Sequence, residues 1–287
     1  MQQINVSQQT YFTLHMNSQR ATIQTQMANL TSGKHIQSTR RILLRFLFAL
    51  VVITLSAAKI MAQEIVNLVL VGDDGITEDL KKAHSFIVVK KLNNQHYERL
   101  DYKRGAPALK IRTYQDSSLQ VLDGRHLEYF PSGYLHYFGS YAVDKKSGRW
   151  RTYNDTGKVV LIEDYENGTL VKAENPDTTR KVKSDSFPDQ HAAEMKGGQK
   201  SWMKYLVKRL EVAQAAEKST KGGTVRVAFA IDTTGKIVDT YLMKSAEFVL
   251  DEEAIDVIEK SPSWEPAFQN GRHIKAYRIQ PLTFVKD

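Results

Sequence analysis

Hydrophobic positions along the chain fall into four kinds of run, and each predicts a different element. The first is continuous: Phe46 to Ala58 reads FLFALVVITLSAA, with Arg40, Arg41 and Arg45 before it and Lys59 after it. A spanning helix needs about 20 apolar residues, whereas the apolar region of an export signal needs about 7–15. The run predicts a signal peptide within a 1–62 leader, cleaved after Ala62. A retained anchor is the alternative, reached if Leu43, Leu44 and Ile60 to Ala62 lengthen the run while Arg45 snorkels. The polar stretch before Arg40, with Met16 and Met27 inside it, is either an over-long gene start or a cytoplasmic tail.

The second kind is alternation. Ser85-Phe86-Ile87-Val88-Val89 predicts a strand, within a segment 64–121 that is otherwise unassigned and partly β. The third kind repeats. At a shift of 24 residues Gly124 falls on Gly148, Tyr129 on Tyr153, Gly133 on Gly157, Leu135 on Val159 and Tyr141 on Tyr165. A further unit starts at Tyr165, and a degenerate one precedes at Tyr102. Ser132-Gly133, Thr156-Gly157 and Asn167-Gly168 read as hairpin turns, so residues 122–172 predict a row of β-hairpins. Tyr129, Tyr141, Trp150, Tyr153 and Tyr165 are either an exposed binding face or the core of a thin sheet, and core fits better because small β units need aromatic bulk. Residues 173–196 are polar and charged, with Pro176 and Pro188, and predict a linker.

The fourth kind mixes helical and strand periods after Gly197-Gly198. Trp202, Tyr205, Leu206 and Leu210 predict an amphipathic helix over Gln199 to Ala216. Val225, Val227, Phe229 and Ile231 alternate into the turn Asp232-Thr233-Thr234-Gly235, and the chain returns through Ile237 to Lys244. A second helix is predicted from Asp251 to Ser261, with acids in its first turn, and a last strand from His273 to Phe284. The fold class is α+β: leader, hairpin region, then a C-terminal domain (197–287) in which two helices cover one face of a three-stranded antiparallel sheet.

Charge changes this picture little. The net charge is +8, but the leader carries six basic residues and no acid, which leaves about +2 for the rest, an ordinary surface balance that gives no support to a nucleic-acid partner. The chain has no cysteine, which excludes disulfides, thiolate zinc sites and thiol catalysis. Eight histidines are scattered without metal-ligand spacing, and no nucleophile elbow, phosphate loop or dinucleotide fingerprint occurs. No catalytic residue, metal or cofactor is expected, and the protein is read as no enzyme. Asp73, Asp74, Glu78 and Asp79 read as a turn, and Asp251-Glu252-Glu253 as a solvated acidic face.

Two resemblances carry the functional expectation. The units GRHLEYFPSGYLHYFGSY and GRWRTYNDTGKVVLIEDY resemble the MORN-type repeats of YwqK-like proteins, over about Leu122 to Val171. That implies an interaction or spacer module and no chemistry. The pieces GGQKSWMKYL, GGTVRVAFAIDTTGKIVDTYLMKS, LDEEAIDVIEKSPSW and EPAFQNGRHIKAYRIQPLTF, in that order over about Gly197 to Phe284, resemble the C-terminal domain of TonB-family proteins. The resemblance implies a protein of the Gram-negative cell envelope, periplasmic or anchored in the inner membrane. It would grip an extended peptide of an outer-membrane TonB-dependent receptor by strand addition, with inner-membrane proton-driven motor proteins as partners and a homodimer as an option. By analogy the gripping edge is Ile274, Lys275, Ala276, Tyr277, Arg278 and Ile279, with Pro281 marking where pairing stops. Three features depart from the family: no Tyr-Pro pair follows the first helix, no proline-rich spacer is present among only seven prolines, and no histidine lies in the apolar run. The repeat array and linker would then have to act as the spacer. The alternative function is a non-motor periplasmic scaffold whose repeats hold the partner.

Overall fold

The computed structural model describes residues 64–92, 95–176, 191–212 and 215–286. The leader, with its predicted signal or anchor, lies outside the described residues, as does most of the predicted linker. Among the described residues no helix is long and apolar enough to cross a membrane.

The alternating and repeating runs form one antiparallel sheet. Its strands are β1 (Glu64–Gly72), β2 (Gly75–Thr77), β3 (Ser85–Lys91), β4 (Tyr97–Lys103), β5 (Ala108–Tyr114), β6 (Leu122–Tyr129), β7 (Leu135–Ala142), β8 (Lys145–Tyr153), β9 (Val159–Glu166) and β10 (Thr169–Glu174). From β3 onward each strand pairs with its successor, and β1 closes the other end between β3 and β2. The segment 64–121, which the sequence left mostly unassigned, supplies β1 to β5. The 24-residue period recurs in the pairing: Gly124 faces Tyr141 as Gly148 faces Tyr165, and Tyr129 faces Leu135 as Tyr153 faces Val159. The β9–β10 turn places Asn167 and Gly168 both at positive φ, 50° and 88°, as a two-residue hairpin turn requires.

The C-terminal module is built from β12 (Gly223–Ile231), β13 (Ile237–Lys244) and β17 (Ala276–Phe284), in the order β13-β12-β17. Its helices are α1 (Gly198–Val212), α2 (Ala215–Lys218) and α3 (Phe248–Glu259). Val225, Val227, Phe229 and Ile231 alternate onto the helix side of β12, where they are buried with Leu250, Ala254, Val257 and Ile258 of α3 and Trp202 and Leu206 of α1. Two short ladders flank them, β11 (Glu194–Met195) on β14 (Trp264–Glu265), and β15 (Ala267–Gln269) on β16 (Arg272–Ile274).

Several expectations change. The first helix ends at Val212 with a separate short turn of helix after it, and the second starts at Phe248, three residues before Asp251. Asp251 is not on a solvated face: it is 1% exposed, because α3 turns its first acid toward the ten-stranded sheet. The stretch 173–196 has structure at both ends, since β10 runs to Glu174 and Ala193 and Met195 are buried in the C-terminal core. The repeated aromatics divide between faces. Tyr129 and Tyr153 join the core shared with the C-terminal module, whereas Tyr141, Trp150 and Tyr165 cluster on the other side with His126 and Lys146.

The sheet is therefore not a free spacer. Val88, Leu100, Tyr102, Ile111, Leu127 and Tyr129 from it belong to the same hydrophobic core as Val225, Phe229, Leu250 and Ile258. Phe86 stacks on Tyr102 at 5.6 Å, and Phe248 of α3 meets both rings edge-on.

Candidate strand-docking edge

A three-stranded sheet has two outer edges, and each presents unpaired backbone N–H and C=O groups unless something covers them. The β13 edge is covered by the ten-stranded sheet. Arg125 of β6 donates from Nη1 to the Thr240 carbonyl at 2.7 Å, and the Tyr129 hydroxyl donates to the Leu242 carbonyl at 3.1 Å. The Ser245 N–H then donates to the Gly133 carbonyl in the β6–β7 turn at 2.9 Å, and Tyr134 bridges to Lys244. Alternate carbonyls of β13 thus receive side chains from β6 in place of a fourth strand.

Among the described residues the β17 edge carries no such cover. Among the described residues β17 pairs with β12 and with no other strand. Its side chains alternate: Leu282 and Phe284 are buried toward the helices and Arg278 lies over the Trp264 ring at 5.4 Å. Tyr277 and Ile279 point the other way, 68% and 48% exposed. Gln280 is tied to α1 by the Trp202 indole N–H, 2.8 Å from its Oε1.

The six residues expected to form the edge do not act as one strand. Ile274 belongs to β16, paired with Ala267 and packed against the core. Lys275 lies between strands, ion-paired with Asp239, which holds the ammonium pKa above its ordinary value. Ala276, Tyr277, Arg278 and Ile279 are in β17 opposite Ile231, Ala230, Phe229 and Ala228. The ladder with β12 runs past Pro281, which sits opposite Arg226, with the register unbroken through Phe284. An unbroken ladder across a residue without an N–H follows when its amide side faces away from β12. Alternate residues share that side, so the N–H groups of Tyr277 and Ile279 face the open edge. The sequence reading missed Gln280 and Thr283. The alternation of Tyr277, Ile279 and Pro281 was the signal for Thr283, and nothing in the sequence marked Gln280, whose partner Trp202 lies on α1.

No group of three or more metal-ligating side chains occurs among the described residues. The edge offers backbone hydrogen-bonding groups and exposed contact area.

Residues 213–285, roughly a quarter of the chain, match the family model for the C-terminal region of Gram-negative bacterial TonB protein. This segment is similar to the C-terminal domain of TonB-family proteins. The match supports a TonB-type role in energy coupling for transport at the Gram-negative cell envelope, with outer-membrane receptors and inner-membrane motor proteins as the general class of partners. The TonB segment holds β12, β13, α3 and β17, and α1 lies before it, although the resemblance in sequence extended back to Gly197. No curated protein and no solved structure matches the chain.

Proposed function

We propose that the open edge of β17 takes an extended segment of an outer-membrane receptor, or of another envelope partner, as an added strand in TonB-dependent transport. The observation that carries this reading is the asymmetry of the two edges: β13 is capped by Arg125, Tyr129 and Gly133, and among the described residues no strand lies beside the outer edge of β17. Strand addition draws affinity from main-chain hydrogen bonds and selectivity from alternate side-chain positions. Here those positions are Tyr277 and Ile279 on one face and Arg278 on the other, with Gln280 extending the edge. A second copy of the chain pairing β17 to β17 would make a homodimer and would compete with the peptide.

Substituting Ile279→Pro removes an N–H that faces the open edge while sparing the β12 ladder. Capture of a receptor peptide by the full chain is expected to fall by about tenfold or more, since each lost bond and the ring's bulk act on the added strand alone. Unchanged capture would overturn strand addition at β17.

We read residues 122–172 as MORN/YwqK-type repeats, and the sheet they belong to as the body that presents the TonB domain. Coupling to a proton-driven motor belongs to the same proposal and requires residues 40–62 to remain as an anchor. The N-terminal sequence of the protein from envelope fractions tests it: a start near Gln63 removes the route to the motor.

A further inference from the structure

Helix α1 is tied to the C-terminal module by one side. The Trp202 indole reaches Gln280 of β17, the Tyr205 hydroxyl donates to the Val257 carbonyl of α3 at 2.8 Å, and Arg209 pairs with Asp256 at 3.0 Å. Leu206 is buried beside them, and Leu210 packs against the same core. Residues three and four apart share a face of a helix, so these five form its inner side. The opposite side goes to solvent with a pattern of its own. Lys200, Lys204 and Lys208 stand on successive turns, a strip about 12 Å long at about 1.5 Å per residue. Met203 and Val207 lie beside them, 48% and 50% exposed.

Of the four basic residues in α1, Arg209 is spent on Asp256, whereas Lys200, Lys204 and Lys208 form no ion pair among the described residues. The helix sequence holds a single acid, Glu211. A helix bonds its amides internally, so this face cannot take an added strand as the β17 edge can. What it presents is a strip of ammonium groups with apolar atoms alongside. An acidic peptide would satisfy the lysines and leave Met203 and Val207 in water. A lipid headgroup layer takes both, the ammonium heads at the phosphates and the apolar side chains with the lysine stems just beneath. The TonB-type match of the segment that follows puts anionic phospholipid among the surfaces such a face meets.

We propose that the outer face of α1 docks on an anionic phospholipid surface, with Lys200, Lys204 and Lys208 on the headgroups and Met203 and Val207 dipping into the interface. The proposal does not require β17 to take a strand. Because Trp202 ties the inner side of α1 to Gln280, the docked face and the open edge lie on different sides of the helix, and docking leaves Tyr277 and Ile279 free.

The native chain has no cysteine, so an environment-sensitive dye at Val207→Cys reports this face alone. The full-length chain is reconstituted with vesicles of phosphatidylcholine, or of phosphatidylcholine and phosphatidylglycerol at two to one, so that any attachment through the leader is common to both. The dye emission is expected to move to the blue on the anionic vesicles only, and to move back as salt is raised. Lys204→Gln is expected to weaken the docking about fivefold, the share of one basic residue near an anionic surface. Lys200→Gln, Lys204→Gln and Lys208→Gln together are expected to abolish the shift, with receptor-peptide capture unchanged, so that docking and strand addition are read separately. A dye at Lys158→Cys, in the β8–β9 turn of the sheet, is expected to stay in water on both vesicles. Equal emission from Val207→Cys on the two lipids would overturn the docking. So would a shift that survives the three substitutions, or one of the same size at Lys158→Cys. A shift of equal size on adding poly-glutamate in place of vesicles would make the occupant an acidic peptide and overturn the lipid assignment.

Discussion

Glycine 133 shows how one residue serves a turn and a seam. It stands at φ 86°, and a Cβ built there would come within 2.2 Å of the Ser245 carbonyl oxygen. Gly133→Ala meets both left-handed strain and a backbone contact that has no flexible end to move, so a loss of about 2–3 kcal/mol is expected, read by urea unfolding. A hairpin glycine at this position was legible in the repeat. Its partner was not, because Ser245 lies beyond a linker and in another module. Tyr129 tells the same story. Its aromatic bulk was readable as core, and its hydroxyl became a cap on Leu242, a role set by the docking of β6 on β13. Tyr129→Phe keeps the ring and drops that donor, for an expected cost of about 1 kcal/mol by the same measurement.

At the scale of elements, helix α1 is outside the TonB match and yet inside the core of the C-terminal module. Trp202 is 3% exposed, packs on Trp264 at 5.0 Å and on Tyr205 at 5.6 Å, and reaches Gln280 on the open strand. Trp202→Ala is expected to cost about 3–5 kcal/mol, measured as a fall in thermal midpoint, and to loosen β17 with it. The order of the main elements of the C-terminal module, helix, strand, strand, helix, strand, was legible because each long run has one clear period, whereas α2 and the short ladders β11–β14 and β15–β16 were not. The acidic start of α3 was misjudged for a physical reason: a run of Asp and Glu at a helix N-terminus satisfies the dipole whether or not it is solvated, and burial of the first acid is decided by what covers it. The break at Lys275 was equally silent, because Ile274 and Ala276 alternate as one strand would, while Ala267 takes Ile274 as its own partner.

At the scale of the molecule, ten strands at about 4.8 Å spacing make a sheet about 43 Å across, and the C-terminal module sits on one of its faces through α3 and β13. A shared core predicts shared unfolding. Calorimetry of the full chain is expected to show one cooperative transition for the sheet and the module together, and two separated transitions would mean that the seam does not couple them.

What the sequence determined by itself was local: strand against helix from the period of apolar residues, turns from Asn-Gly and Ser-Gly, and a repeat whose glycines and tyrosines already marked cross-strand partners. These follow from interactions among residues close along the chain. The tertiary structure alone decided which edge of the small sheet is open, since β13 and β17 look alike as sequences and differ only in what packs beside them. It decided likewise that Asp251 is buried, because desolvation depends on neighbours brought from more than a hundred residues away.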